Sequence, residues 1–146
     1  MNKPVPVVLA LCLLAACQSK EDAPTAGPTE AYAGIAETET IRFTGTEPFW
    51  GGQIASGTAT YSTPETIDGV AFPVERFAGN NGVSFTGTMT GALAGTRFDL
   101  MVTPGECSDG MSDRTYPFTA SLLVGEERRN GCAWTDSKGF AGPANP

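Results

Sequence analysis

Apolar and polar residues alternate with a period of two along most of the chain beyond residue 40. Ile41-Arg42-Phe43-Thr44 starts the pattern, and Ala59 and Tyr61 flank Thr60. Val70, Phe72 and Val74 alternate with Ala71 and Pro73, and Phe85 and Met89 share a face opposite Ser84, Thr86, Thr88 and Thr90. Phe98, Leu100 and Val102 stand against Arg97, Asp99 and Thr103, and Phe118, Ala120, Leu122 and Val124 make the cleanest run. Successive side chains of an extended strand point to opposite faces, so this period marks half-buried strands. Gly-rich breaks separate them: Gly51-Gly52, Asp68-Gly69, Asn80-Asn81-Gly82, Gly91, Gly95 and Gly125. Asn-Gly and Asp-Gly favour tight hairpins. No helical period is sustained, and at most one turn of helix is expected, near Ser108 to Arg114. The pattern predicts a mainly β domain over residues 41–142, a small antiparallel barrel or closed sandwich of about seven to eight strands, since closure removes exposed edges. Pro73 and Pro117 are expected at strand starts, edges or bulges.

Before residue 41 the pattern is different. Lys3 precedes an apolar run from Val7 to Ala16, which ends Leu14-Ala15-Ala16-Cys17. One positive charge and about ten apolar residues fit a secretory signal peptide, here residues 1–16. The run is too short for a bilayer core, which needs about twenty residues. Small residues followed by Cys resemble the bacterial lipobox. That resemblance implies cleavage before Cys17, a diacylglycerol on its thiol and an acyl chain such as palmitate on the new amine. Several acyl chains hold a protein on a membrane where one does not, each buried CH₂ contributing about 0.8 kcal/mol. Gln18 after the anchor implies sorting to the outer membrane, with the protein on its periplasmic face. Residues 17–40 contain Pro24, Gly27, Pro28 and five acids, with few large apolar side chains. Such a segment is expected to remain a flexible acidic tether, because it buries too little to offset its ordering entropy.

Composition narrows the chemistry. The 146 residues include Lys+Arg 9 and Asp+Glu 16, a net charge of −7, which argues against a nucleic-acid partner. There is no His, so His-based triads and His zinc sites are excluded. Of the four Cys, Cys12 leaves with the signal and Cys17 is the acylation site, leaving Cys107 and Cys132 as one pair in an oxidising compartment. They are expected to form a disulfide, which for a loop of about 25 residues contributes roughly 3.5 kcal/mol. Nothing in the sequence calls for a cofactor or a resident metal.

Two stretches stand out from the alternation. The first is Gly45-Thr46-Glu47-Pro48-Phe49-Trp50. The second runs from Cys107-Ser108-Asp109-Gly110-Met111-Ser112-Asp113-Arg114 into Tyr116-Pro117-Phe118, with Gly131-Cys132 closing it. With the lipobox, these resemble a group of uncharacterised bacterial envelope lipoproteins that combine G-x-E-P-F-W with C-x-D-x-M-S-D-x-x-Y-P-F and a later G-C. The group occurs beside META-type and lysozyme-inhibitor-like lipoprotein domains. The resemblance covers most of residues 41 to 134 and implies a location and a compact domain rather than a reaction.

The physics of the two motifs leaves alternatives open. Phe49 and Trp50 either plug one barrel end, or Trp50 stands at the mouth of a ligand pocket with Glu47 as its polar contact. In the second motif, Asp109, Asp113 and Ser112 are expected to bond nearby backbone N–H groups and shape a turn or cap a short helix. Arg114 would pair with Asp109, Asp113 or Glu47. Other readings of the second motif are a Ca²⁺ site on Glu106, Asp109 and Asp113, a glycosidase carboxylate pair, and a disulfide-stiffened recognition loop. The candidate binding residues are therefore Glu47, Trp50, Ser108, Asp109, Ser112, Asp113, Arg114 and Tyr116. The expected function is that of a non-catalytic, outer-membrane-anchored lipoprotein whose β-domain binds an envelope protein or a small ligand. One alternative is an inhibitor of a cationic cell-wall hydrolase such as lysozyme, since opposite charge speeds encounter. The other is a structural envelope-stress protein without a ligand.

Overall fold

The alternation resolves into eight antiparallel strands that pair in sequence order and close on themselves, shown by a computed structural model that describes residues 30–144. The signal-peptide and acylation readings fall on residues outside that range. The strands are β1 (Ile41–Thr46), β2 (Phe49–Ala55), β3 (Thr58–Thr63), β4 (Thr66–Ala78), β5 (Val83–Thr88), β6 (Arg97–Cys107), β7 (Tyr116–Val124) and β8 (Glu127–Thr135). β1 pairs with both β2 and β8, so the expected barrel is the form adopted. Its interior is filled by the apolar phase of each strand. Phe98 sits at the centre, with the rings of Phe72, Tyr61 and Phe43 centred 5.0, 6.1 and 6.2 Å away. Leu100, Val102, Phe118, Ala120 and Leu122 complete the wall with essentially no exposure.

Two of the glycine breaks are not breaks. Gly51-Gly52 lies inside β2, and Gly52 pairs with Phe43, whose ring occupies the space a Cβ at residue 52 would need. Asp68-Gly69 lies inside β4, beside the register shift between Tyr61 and Thr63, where Gly69 adopts φ +77°. A left-handed glycine in a strand marks a bulge as readily as a turn. Among the described residues, the one helical element is a 3-10 turn at Gly91–Leu93, between β5 and β6. Residues 108–114, where a turn of helix was expected, are a run of bends instead, because the side chains of Asp109 and Ser112 take the amides a helix would use. Pro73 stands at the point in β4 where its partner changes from β3 to β5, and Pro117 follows the first residue of β7.

The packed domain begins before residue 41. The Tyr32 amide donates to the Gly79 carbonyl at 2.6 Å, Ile35 is buried in the core, and Arg76 donates to the Ile35 carbonyl at 2.8 Å. The segment from Tyr32 to Thr40, read from composition as tether, thus belongs to the domain: two apolar side chains suffice to dock it. The C-terminal segment closes the same end. Thr115 and Ala141 exchange both backbone hydrogen bonds, and Lys138 lies over the buried Phe118 ring at 5.6 Å and donates to the Gly34 carbonyl.

Candidate functional site

The two motifs meet on the outer wall where β8 and β1 close the barrel. Pairing between these strands runs from Ile41–Thr135 to Thr44–Cys132. Beyond it, Gly45 and Gly131 come next on the two strands. A Cβ at Gly45 would overlap the Trp50 indole, and one at Gly131 would meet the Thr44 carbonyl first and the indole next, so the two glycines admit a large ring and a close strand. Trp50 is 4% exposed and packs 5.9 Å from Phe43, centroid to centroid. Its Nε1–H is buried without a hydrogen-bond partner. Trp50 is therefore a core plug and not the mouth of a pocket. Glu47 does not join it: Glu47 and Pro48 form the exposed β1–β2 turn, across a cis peptide bond.

The second motif is built differently. Cys107 at the end of β6 is joined to Cys132 of β8, with Cα atoms 5.6 Å apart, as the cysteine count required. From there the chain folds along the wall toward β1, where the Thr46 hydroxyl donates to the Asp109 carbonyl at 3.1 Å. The Asp109 carboxylate organises the rest. One oxygen accepts from the Met111 and Ser112 amides at 3.0 and 2.8 Å, and the other from the Ser112 hydroxyl at 2.6 Å and the Tyr116 hydroxyl at 3.2 Å. Hydrogen bonds from Ser112 above all, with those from Met111 and Tyr116, hold its pKa down to about 2. Ser112 in turn accepts from the Arg114 amide at 3.3 Å, and Ser108 from the Gly110 amide at 3.2 Å.

Arg114 does not pair with Asp109, Asp113 or Glu47. Its guanidinium lies 4.5 Å from the Phe140 centroid and donates to the carbonyls of Pro143 and Ala144. The C-terminal segment offers both a π-face and unpaired carbonyls, which together satisfy the cation better than one flexible carboxylate. Phe140 also packs with Tyr116 and Trp134, centroids 5.6 and 5.8 Å away, making a small aromatic cluster outside the barrel. Arg114, Ser112 and Tyr116 are thus fixing elements. Met111, 69% exposed, Ser108 and Asp113 are what the loop displays.

Beside the loop runs an open groove of about 380 Å³, floored by Gly45, Gly131 and Ala120 and edged by Ser108, Thr119 and Asn130. Thr46, Asn130, Met111, Trp134 and Phe140 were not singled out from the sequence. Met111 alone carried a signal, an apolar residue in a polar loop. The Ca²⁺ reading fails: among the described residues no cluster of three or more acidic, Cys or His groups is placed to hold a metal, and the Asp109 oxygens are already taken by the loop's own donors. A low Asp109 pKa also opposes a role as general acid, which needs a proton held near neutral pH. Comparison with family models, with curated proteins and with solved structures found no match.

Proposed function

We propose that the chain is a lipid-anchored envelope protein, held at the periplasmic face of the bacterial outer membrane through Cys17, that works by binding a protein partner rather than by catalysis. The observation that carries this reading is the contrast within the second motif. The disulfide, the Asp109 hydrogen bonds and the Arg114–Phe140 contact fix residues 107–114 from three sides, yet Met111 and Asp113 are left in solvent. A loop fixed at both ends loses little entropy on binding, which favours recognition. A purely structural role gives no reason to stiffen a segment whose outer side chains are left mostly in solvent. A ligand inside the barrel is disfavoured by the aromatic filling and the burial of Trp50.

The second reading, inhibition of a cationic hydrolase such as lysozyme, draws support from the exposed Asp113 and the acidic chain. One experiment addresses both. Immobilised full-length protein, oxidised, is exposed to lysozyme and to periplasmic extract, with Asp113→Ala and Met111→Asp alongside. A partner retained by the wild type and weakened at least about tenfold in both variants supports loop recognition. Inhibition of the bound hydrolase selects the second reading. Equal retention by all three proteins, or no retained partner at any salt concentration, rejects recognition through the loop.

A further inference from the structure

Of the four exposed large apolar side chains on the strands, Phe49, Ile67, Phe77 and Met101, two stand together. Phe77 of β4, Ser84 of β5 and Met101 of β6 lie in one cross-strand row, and Phe77 and Met101 are 69% and 53% exposed. They flank a shallow depression of about 220 Å³ whose remaining lining, from Gly79 to Val83 with Thr103, contains no ionisable side chain. The depression itself thus carries no charge, while Arg97, Asp99 and Arg128 line a neighbouring depression on the other side of Ser84 and Met101. The patch is centred on β5, three strands from β8 and four from β1, along which the loop is laid, so the two face largely different ways although they meet at the Thr103–Thr119 pair.

The chain itself indicates what covers the patch. The N-terminal segment joins the domain at this same place, through the Tyr32 amide on the Gly79 carbonyl of the β4–β5 hairpin. Fifteen positions separate Cys17 from Tyr32. A chain of that length reaches at most about 50 Å. An acyl anchor on Cys17 would hold the Gly79 hairpin within that distance of the bilayer, with the Phe77–Met101 wall the nearest apolar surface. We propose that this wall rests on the lipid surface and turns residues 107–114 away from it, toward partners. Two exposed apolar side chains beside an uncharged depression suit the interface of a neutral bilayer. The proposal rests on the lipoprotein reading above.

The test uses the full chain expressed with its own leader, purified from the membrane fraction and placed on phosphatidylcholine vesicles. An environment-sensitive label at Ser84→Cys reports on the patch without altering Phe77 or Met101, and a label at Asp113→Cys reports on the loop. Expected are a blue shift and at least about a twofold loss of iodide quenching at position 84 and neither at 113, both lost when Phe77→Asp and Met101→Asp are added. An acylated, vesicle-bound protein with no shift at 84, or with a shift the two Asp substitutions leave intact, overturns the contact while leaving the lipoprotein reading in place. A shift that grows with protein concentration in the absence of vesicles overturns it in favour of a second copy of the chain. A soluble protein with unmodified Cys17 by mass overturns the anchor, and the proposed contact with it.

Discussion

The Gly45–Trp50 and Cys107–Arg114 segments look alike as sequence, each a cluster of distinctive residues in a Thr- and Gly-rich chain, but the fold treats them oppositely. The first is taken inward. Trp50 enters the barrel, and Gly45 and Gly131 surrender their side chains to make room for it. The second is laid outward on the wall and fastened there by a covalent bond, a carboxylate and a cation–π contact. A conspicuous motif is therefore not in itself a site. What separates the two is where their fixing contacts point. In the first they end in the core; in the second they hold a loop whose remaining side chains face solvent.

The contrast is broken most severely at Trp50. Replacement by Ala removes the plug and leaves a cavity beneath two glycines that cannot fill it, so a loss of about 3–5 kcal/mol in urea unfolding is expected. Trp50→Phe should cost much less, because it keeps an aromatic filling and removes an N–H that has no partner. Gly131→Val should approach the Ala variant, since its branches would collide with the Thr44 backbone and the indole. If Trp50→Ala were as mild as a surface change, the first motif would not be a core element.

The disulfide comes next. Cys107→Ser with Cys132→Ser should lower stability by about 3 kcal/mol through the entropy of the freed loop. The signature that distinguishes it from Trp50→Ala is local. Amide exchange should accelerate selectively over residues 108–114, whereas loss of the plug should accelerate exchange throughout the core strands. Uniform acceleration in the double-Ser variant would mean that the bond supports the barrel and not the loop.

How much of this was readable in the sequence follows from what fills each strand's inner face. β1 and β3 to β7 place Phe, Tyr, Leu, Val or Ile inward, and their alternation predicted them. β2 and β8 hid because small or polar residues interrupt their inner phase. Gly52 stands between the buried Trp50 and Ile54 and lies against the Thr60 carbonyl and the Phe43 ring, Gly131 lies against the Thr44 carbonyl and the Trp50 indole, and Arg129 reaches Tyr61 Oη at 2.6 Å. A small or polar residue facing a large ring is complementary only once the pairing is known, and the pairing is long-range. The same limit applied at the loop. That Asp and Ser side chains shape a turn here is local chemistry, legible from residue type, whereas Tyr116, expected among the binding residues, is buried and donates to Asp109. Arg114 was misassigned because its partners lie 26 to 30 positions away in a segment of no evident character.

Asp109 tests the loop alone, through pH. Its carboxyl is held at about 2 when folded, below the ordinary carboxylate value of 3.8. A depressed folded pKa contributes stability that is present above the unfolded pKa and is lost as pH falls through the folded one. Asp109→Asn keeps the shape but replaces two acceptor sites with donors that face the Ser112 and Tyr116 hydroxyls. It should cost about 1–2 kcal/mol at pH 7, the range of a lost cap. The gap between wild type and variant should close as pH falls from about 4 toward about 2. A gap independent of pH over that interval would assign the loop's rigidity to the disulfide and the Arg114–Phe140 contact instead.

The smallest effect is the one that most sharpens the comparison. Asp113 is the immediate neighbour of two fixing residues yet is itself exposed, between Ser112, which holds the turn, and Arg114, which holds the C-terminal segment. Asp113→Ala should change unfolding free energy by no more than about 0.5 kcal/mol, as a surface substitution that removes no contact. Ser112→Ala, one position away, should cost about 1 kcal/mol because it strips a donor from Asp109 and an acceptor from the Arg114 amide. A display loop predicts this step between neighbours: stability tracks Ser112 while partner affinity tracks Asp113. If instead both substitutions destabilise equally, Asp113 belongs to the fastening, and the second motif is a core element turned inside out, serving the fold as Trp50 does from within.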